Sequence, residues 1–263
     1  MTITRVALIA HAGKPAARAL EQDLRALLDE RGIVVTEDDP QLVVSLGGDG
    51  TMLKAGQVAH AADALLLGVN LGTLGYLTEV DAGGERDALQ SVLDGSFEIE
   101  ERMMLSCETS DLPPRSFVGL NEVLVERSSR HRLVRLSVRV GGERLAAFNA
   151  DGVIVATPTG STAYALSAGG PIVSPRAQCM ILVPVSAHMI FARPFVLAPD
   201  ETVEITVDGP DQDASLALDG AIDCDLGPGA VVTVKRHDRP LKLVRLGGPG
   251  FLERLRTKLG LPR

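Results

Sequence analysis

The chain has 263 residues, 45% of them hydrophobic and 23% charged, which is typical of a globular protein with one or two domains. Its formal net charge of −8 argues against nucleic acid or an anionic membrane surface as the main partner. Three dispersed cysteines without C-x-x-C spacing, no signal-peptide pattern and no stretch of about 20 apolar residues together predict a cytoplasmic protein.

The first hundred residues alternate short apolar runs with helical patterns. After Pro15, leucines recur at positions 20, 24, 27 and 28, which is the spacing of one apolar helical stripe. Such alternation predicts an α/β domain over residues 1–97, with a mostly parallel sheet covered by helices. Strands are expected at residues 5–10, 33–36, 42–46 and 65–69, and helices after residues 15 and 51 and before residue 95.

The strand predicted at residues 42–46 runs into a turn with three glycines, Gly47, Gly48 and Gly50. Glycine tolerates positive φ and lets backbone N–H groups come close to a ligand. With a helix expected from Thr51, the turn offers unpaired N–H groups at a positive dipole end, which suits phosphate. We therefore expect these three glycines and Thr51 to bind phosphate.

Asp49 is the unusual residue of this turn, because phosphates repel a carboxylate. Its side chain is placed to accept a proton from a hydroxyl or to hold a cation, whereas the structural alternative is a helix cap or an Asx turn. Lys54, on the first turns of the following helix, suits phosphate contact and solvent exposure equally well. A second glycine cluster at residues 70–75 is expected at the same edge of the sheet, and neither cluster matches a dinucleotide fingerprint or a P-loop.

Beyond Gly95 the pattern changes to short strand-like runs. The charged segment 98–102 is interpreted as a joint, and the runs that follow predict a sandwich-like β domain over residues 98–247. Gly141-Gly142 is expected to form a hairpin turn. The tail, 248–263, carries a helical pattern at 251–259 that is expected to pack back on the first domain. The predicted strands are 117–126, 133–140, 145–148, 153–157, 180–185, 203–207, 216–218, 231–234 and 241–246.

Two segments of the β domain carry unexpected side chains. Asn121-Glu122 interrupts an apolar run, and such a pair suits ring nitrogens or sugar hydroxyls as well as it suits an edge strand. In segment 157–170, small and hydroxyl residues surround Pro158, so that a flat ring can lie against the backbone, with Tyr164 against a purine or ribose. The alternative is a capped helix with Tyr164 in the core.

The Gly47–Gly50 turn, Asn121-Glu122 and the run TPTGSTAY followed by SAGGP resemble, in this order, the bacterial NAD kinases. Lipid kinases and phosphofructokinases share the GGDG turn but not the TPTGSTAY run. The resemblance implies an N-terminal α/β domain and a C-terminal β domain. It also implies phosphoryl transfer from ATP or polyphosphate to the 2′-hydroxyl of the adenosine ribose of NAD, giving NADP, with a homodimer or homotetramer as assembly. Because phosphoryl transfer depends on charge neutralisation, we expect Mg²⁺ as divalent cation.

The resemblance also assigns roles to residues. Asp49 resembles the family's proton acceptor, Lys54 a basic phosphate contact, and Asp151 a residue near the nicotinamide end. Asn121 and Glu122 resemble its adenosine-binding pair. The candidate NAD-binding residues are Asp49, Gly50, Lys54, Asn121, Glu122, Asn149, Asp151, Thr162, Ala163, Tyr164, Ala165, Leu166 and Ser167.

Three positions depart from the family pattern. Asn149 stands where relatives carry arginine, Ala221 replaces a polar residue that some members use at the ligand, and segment 186–191 differs from the familiar PHTLS sequence. Two other functional classes stay open on the sequence alone: a GGDG-type lipid kinase and a catalytically silent NAD(P)-binding module.

Overall fold

The alternating pattern of the N-terminal third forms an α/β unit in a computed structural model of the chain. The structure describes residues 2–72, 75–110, 113–129, 131–187, 193–209 and 212–262, without the side chains of residues 222 and 223. The chain divides into unit 1, residues 1–102 with 240–263, and unit 2, residues 103–239.

The strands of the described residues are, in chain order, β1 (Arg5–Ala10), β2 (Val34–Val35), β3 (Leu42–Gly47), β4 (Leu65–Asn70), β5 (Val80–Asp81), β6 (Glu98–Arg102), β7 (Leu105–Thr109), β8 (Ser116–Gly119), β9 (Glu122–Arg127), β10 (Val134–Val140), β11 (Glu143–Ala150), β12 (Gly152–Ala156), β13 (Met180–Val185), β14 (Phe195–Leu197), β15 (Val203–Val207), β16 (Ala214–Leu218), β17 (Ala221–Leu226), β18 (Val231–Arg236) and β19 (Leu241–Arg245). The α-helices are α1 (Pro15–Glu30), α2 (Asp49–Ala61), α3 (Glu85–Leu93), α4 (Tyr164–Ser167) and α5 (Phe251–Leu259), and residues Gly160–Thr162 form a 3₁₀ turn.

Unit 1 is built on one sheet with the strand order β2-β1-β3-β4-β19-β6, and β5 also pairs with β4. Every residue of β3 and β4 is buried, as continuous apolar runs predict for the centre of a parallel sheet. The leucine stripe of α1 packs against this sheet through Leu24, Leu27 and Leu28. The predicted α/β architecture is therefore confirmed.

The last two strands of this sheet correct the sequence interpretation. The segment interpreted as a charged joint is strand β6, and the run assigned to the β domain is β19, which pairs parallel with β4 and antiparallel with β6. The three glutamates of β6 fit an edge strand with an exposed face, whereas Arg102 at its end is buried. The divisions thus fall after residue 102 and before residue 240, instead of after residue 97 and before residue 248.

Helices α2 and α5 of unit 1 carry two charged residues of interest, Asp49 and Arg254. Helix α2 begins at Asp49, two positions before the predicted start at Thr51, so that the carboxylate belongs to the helix itself. Helix α5 covers the predicted residues and belongs to unit 1, where Arg254 contacts Glu79.

Unit 2 is a sandwich of two antiparallel six-stranded sheets, ordered β11-β10-β15-β18-β7-β8 and β14-β13-β12-β9-β16-β17. Side chains from both sheets form its core, among them Leu136 and Val125. Gly141 and Gly142 have φ of 57° and 82°, which confirms the predicted hairpin turn. The single strand predicted at 117–126 is wrong: β8 and β9 lie in different sheets, and the chain crosses between them at Leu120-Asn121.

A buried ion cluster joins β19, α5 and the loop after β4. Glu79 Oε2 accepts from Arg245 Nη1 at 2.7 Å and from Arg254 Nη2 at 3.5 Å. Its Oε1 accepts from the N–H groups of Leu246 and Gly248 at 2.8 and 3.0 Å. Only 3% of the Glu79 and Arg254 side chains is exposed.

Glu79→Gln is expected to lower the free energy of unfolding by about 3 kcal/mol, because the buried guanidinium of Arg254 loses the charge that offsets it and Arg245 is left with Glu100 as its ion-pair partner. Urea unfolding measures the change. Glu101→Gln, at an exposed position of the edge strand β6, is the control and should shift the free energy by less than about 0.5 kcal/mol. Equal stability of both variants would contradict the account of this cluster.

Candidate functional site

The glycine turn leaves the backbone at the start of α2 open. None of its three glycines has a positive φ; Gly48 is extended, with φ −117° and ψ −167°. A Cβ at Gly47 would lie 2.2 Å from Thr51 Oγ1, whereas a Cβ at Gly48 or Gly50 would meet no atom within 4 Å. Gly47 therefore makes room for Thr51, and Gly48 and Gly50 keep the approach to the backbone clear.

The first amides of α2 are suited to bind an anion. The N–H groups of Thr51 and Met52 donate to Gly48 O at 2.9 and 3.0 Å. The N–H groups of Asp49 and Gly50 come before these two in the chain. The first N–H groups of a helix have no acceptor within it. Thr51 is 5% exposed, so its side chain serves the packing of the turn. The assignment of Gly47, Gly48, Gly50 and Thr51 to phosphate stays a prediction.

The carboxylate of Asp49 turns away from its own helix. Oδ2 accepts from the N–H of Tyr76 at 3.0 Å, and Oδ1 accepts from the N–H of Leu77 at 3.1 Å. Lys258 Nζ lies 3.4 Å from Oδ2. A Cβ at Gly75 would lie 2.5 Å from Oδ1, so this glycine is required for the close approach. Asp49 is thus held by the loop after β4 and does not cap α2.

The second glycine cluster lies beside the first, as predicted, because Gly47 and Asn70 are partners at the ends of β3 and β4. Asn70 is 4% exposed and bonds Gly72 N–H and Asp81, and Lys14 Nζ donates to Leu71 O at 3.2 Å. Residues 73 and 74 of the cluster lie outside the described part. Lys54 is exposed on α2.

In unit 2, Asp219 holds the Asn121-Glu122 pair. Its carboxylate accepts from three consecutive N–H groups, those of Leu120 at 2.8 Å, Asn121 at 2.7 Å and Glu122 at 3.2 Å. Asp219 has φ 49° in the turn between β16 and β17. Sequence analysis missed this role, since Asp-Gly between apolar runs signals only a hairpin turn.

The Thr157–Gly160 segment packs against the same pair. Thr157 Oγ1 donates to Leu120 O at 2.6 Å and accepts from Gly160 N–H at 3.0 Å, and Thr157 N–H donates to Asn121 O at 2.8 Å. A Cβ at Gly160 would lie 2.0 Å from Asn121 O, so only glycine fits. Ser161 is fully buried and bonds Pro158 O and Val173 N–H. Its hydroxyl therefore serves the fold.

Tyr164 lies near Glu126 and Asp151, at the end of β9 opposite Glu122. It is 41% exposed, so the alternative that placed it in the core is wrong. Burial raises its pKa, followed by the charges of Glu126 and Asp151. Asp151 Oδ1 lies 2.5 Å from Arg127 Nε. Glu126 is the partner of Gly152 and Glu122 that of Ala156, so this cluster is about 14 Å along β9 from Glu122.

The remaining candidate residues differ in exposure. Ala165 is fully buried, whereas Ser167 and Asn149 are exposed and Thr162, Ala163 and Leu166 are half-buried. Asn149 lies on β11 opposite Arg135, and the arginine that contacts Asp151 is Arg127. Ala221 is exposed at the start of β17. Residues 188–191 of the segment that departs from the family pattern lie outside the described residues.

Glu122 is the most perturbed carboxyl of the candidate site. It is 5% exposed, and its Oε2 has no hydrogen-bond partner among the described residues. Burial, and then the charge of Asp219, raises its pKa to about 7. Near neutral pH the group can therefore accept or donate a hydrogen bond.

Within the residues that the structure describes, no group of three or more His, Cys, Asp or Glu side chains could hold a metal ion. No helix in the described part of the chain has the length and apolar character needed to cross a membrane.

Comparison with known families decides the affiliation. Residues 32–100 match the ATP-NAD kinase N-terminal domain, and residues 120–246 match the ATP-NAD kinase C-terminal domain. The chain belongs to the ATP-NAD kinase family. The suspected resemblance is thereby confirmed.

Individual members of the ATP-NAD kinase family are similar in sequence to this chain over most of its length. NAD kinase 1 of Streptomyces coelicolor is 37% identical, covering 99% of this chain and 87% of its own. The NAD kinase of Corynebacterium diphtheriae is 38% identical, covering 98% of this chain and 91% of its own.

Two solved structures share the fold. The NAD kinase from Archaeoglobus fulgidus in complex with ATP has a TM-score of 0.76 at 27% identity, covering 98% of each chain. Yeast NADH kinase complexed with NADH has a TM-score of 0.89 at 24% identity, covering 99% of this chain and 88% of that one, a likeness of fold.

The pH dependence of the free energy of unfolding is expected to reflect the protonation of Glu122. Because the folded pKa of about 7 exceeds the ordinary value of 4.5, folding favours the protonated carboxyl. The contribution is complete below pH 4.5 and is lost as pH rises through 7, a fall of about 3 kcal/mol. Glu122→Gln removes this part of the pH dependence, measured by urea unfolding from pH 4.5 to 8. The exposed control Glu143→Gln keeps the wild-type curve; a Glu122→Gln curve parallel to wild type would contradict the shift.

Proposed function

We propose that this protein is an NAD kinase that transfers the terminal phosphoryl group of ATP to the 2′-hydroxyl of the adenosine ribose of NAD, giving NADP. The observation that supports this most is the carboxylate of Asp49, fixed by two backbone amides beside the open N-terminus of α2. Family membership supports the same assignment.

Asp49 acts as general base in this proposal. As the bond from the 2′-oxygen to phosphorus forms, the bond from phosphorus to the leaving ADP oxygen breaks, and the hydroxyl proton passes to the carboxylate. A carboxylate has about four acceptor positions. The described contacts use two on Oδ2 and one on Oδ1, which leaves an acceptor position on Oδ1 for the hydroxyl.

The amides at the start of α2 would bind the phosphates of the donor. Phosphoryl transfer depends mainly on positioning and charge neutralisation, so open amides and a helix dipole are suited to it. The described residues offer no acidic cluster for a metal ion. Mg²⁺ held mainly by the nucleotide phosphates would supply the neutralisation of their charge.

The residues of unit 2 would bind the adenosine. The side chains of Asn121 and Glu122 offer an amide and a carboxyl in one rigid turn, and both suit ring nitrogens or ribose hydroxyls. The exposed ring of Tyr164 is free to contact a flat ligand. A homodimer or homotetramer is proposed from the family resemblance. The other proposed NAD-binding residues are Gly50, Lys54, Asn149, Asp151, Thr162, Ala163, Ala165, Leu166 and Ser167.

Asp49→Asn is expected to lower NADP formation about 10²–10⁴-fold, because the amide cannot accept the hydroxyl proton. NAD affinity, measured by calorimetry, should stay within about threefold of wild type, since the amide keeps the shape of the carboxylate. Asp23→Asn, at an exposed position of α1, is the control and keeps full turnover. Near-normal turnover of Asp49→Asn would remove this residue from its role.

ATP is expected to support NADP formation, with inorganic polyphosphate giving little or none. The support for this choice is the family description and the ATP complex of the archaeal relative. The measurement is NADP formed from NAD with each donor at equal phosphoryl concentration, with Mg²⁺ present. Equal rates, or a preference for polyphosphate, would overturn the assignment of the donor.

A further inference from the structure

Helix α5 carries a lysine to the carboxylate of Asp49. Lys258 Nζ lies 3.4 Å from Asp49 Oδ2 and 4.1 Å from the centre of the Tyr76 ring. Tyr76 is the residue whose N–H donates to the same oxygen. Asp49 Oδ2 is therefore contacted by both the ammonium of Lys258 and the amide of Tyr76. The same ammonium also lies over the ring of Tyr76.

A buried anchor fixes the position of this lysine. Arg254 lies one helical turn before Lys258, on the same face of α5. Its guanidinium donates to Pro249 O at 2.8 Å, to Gly75 O at 3.3 Å and to Glu79 at 3.5 Å. The loop that donates two amides to Asp49 is thus bonded to the helix that carries Lys258.

Stability alone does not explain this contact. The side chains of Lys258 and Asp49 are 27% and 34% exposed, and ion pairs of such exposure contribute about 1 kcal/mol or less. A lysine in the last turn of a helix would interact favourably with the helix dipole whichever way its side chain pointed. Here the ammonium is directed at Asp49, the residue to which the proposed function gives the proton transfer.

We propose that Lys258 is a positioning residue for Asp49, an inference that rests on the proposed function. Held at Oδ2 by Lys258 and the Tyr76 amide, the carboxylate keeps its open acceptor position on Oδ1 for the substrate hydroxyl. The ammonium also offsets the repulsion between the carboxylate and the phosphates of the donor, where charge neutralisation governs the rate.

The test compares steady-state kinetics of full-length variants. Lys258→Met is expected to lower kcat about tenfold while the KM for NAD stays within about twofold, because the lysine acts on the base and not on the bound NAD. Lys258→Arg keeps a cation at this position and should recover most of kcat. The matched control is Lys242→Met, which removes a similar pair with Asp63, 2.9 Å apart, in the same unit. It should leave both parameters unchanged.

The decisive measurement is a double-mutant cycle. In an Asp49→Asn background, Lys258→Met should change the residual rate less than about twofold, since no carboxylate charge is left to position. An equal loss in both backgrounds, a raised KM for NAD, or wild-type kcat in Lys258→Met would each overturn the inference. Lys258→Gln replaces Lys258→Met if thermal unfolding shows that the methionine variant does not fold.

The outcomes separate this inference from the proposed function. A wild-type chain that forms no NADP with any donor would refute the proposed function itself, whereas full turnover of Asp49→Asn would remove Asp49 from its role as base and the inference with it. An active wild type with an inactive Asp49→Asn but an unaffected Lys258→Met would refute the positioning role alone.

Discussion

The arrangement of unit 1 depends on Glu79, buried between Arg245 and Arg254. One oxygen holds guanidinium groups from β19 and α5, and the other holds two amides after β19. Glu79 itself continues the loop whose amides hold Asp49. A charge at this depth is stable only with such complete pairing. The cluster thereby fixes a sheet strand, a helix and the loop beside the candidate base with one side chain.

Unit 2 has a similar arrangement at its candidate site, where a carboxylate accepts from several backbone amides. Asp219 collects three consecutive amides and so bends the chain where it leaves one sheet for the other. Burial raises the pKa of the neighbouring Glu122, and the charge of Asp219 acts in the same direction. A single turn carboxylate therefore directs the chain at the adjacent pair and contributes to the protonation of Glu122. In each unit, backbone amides held by a carboxylate define the site.

Local patterns predicted most elements of the fold, but not the pairing of distant segments. The leucine stripe of α1, the buried runs of β3 and β4 and the glycine hairpin each carry a periodicity or turn signal that acts within a few residues. The assignment of β19 failed because an apolar run does not state its partner strand, and this one pairs parallel with β4 far away in the chain. The edge strand β6 was interpreted as a joint because its charged residues lack an apolar strand pattern, although it pairs with β19.

The candidate site shows the same division between motif and support. The motifs contain the groups that we propose to face a ligand, such as Asp49 and Glu122, because their chemistry is unusual for a turn or a strand. The residues that hold them, Asp219 and Lys258, have ordinary local sequences, a hairpin turn and a helix end. Their roles arise only from contacts across long stretches of chain. A substitution at a supporting position can therefore remove the function of an intact motif, so the motif alone does not establish a competent site.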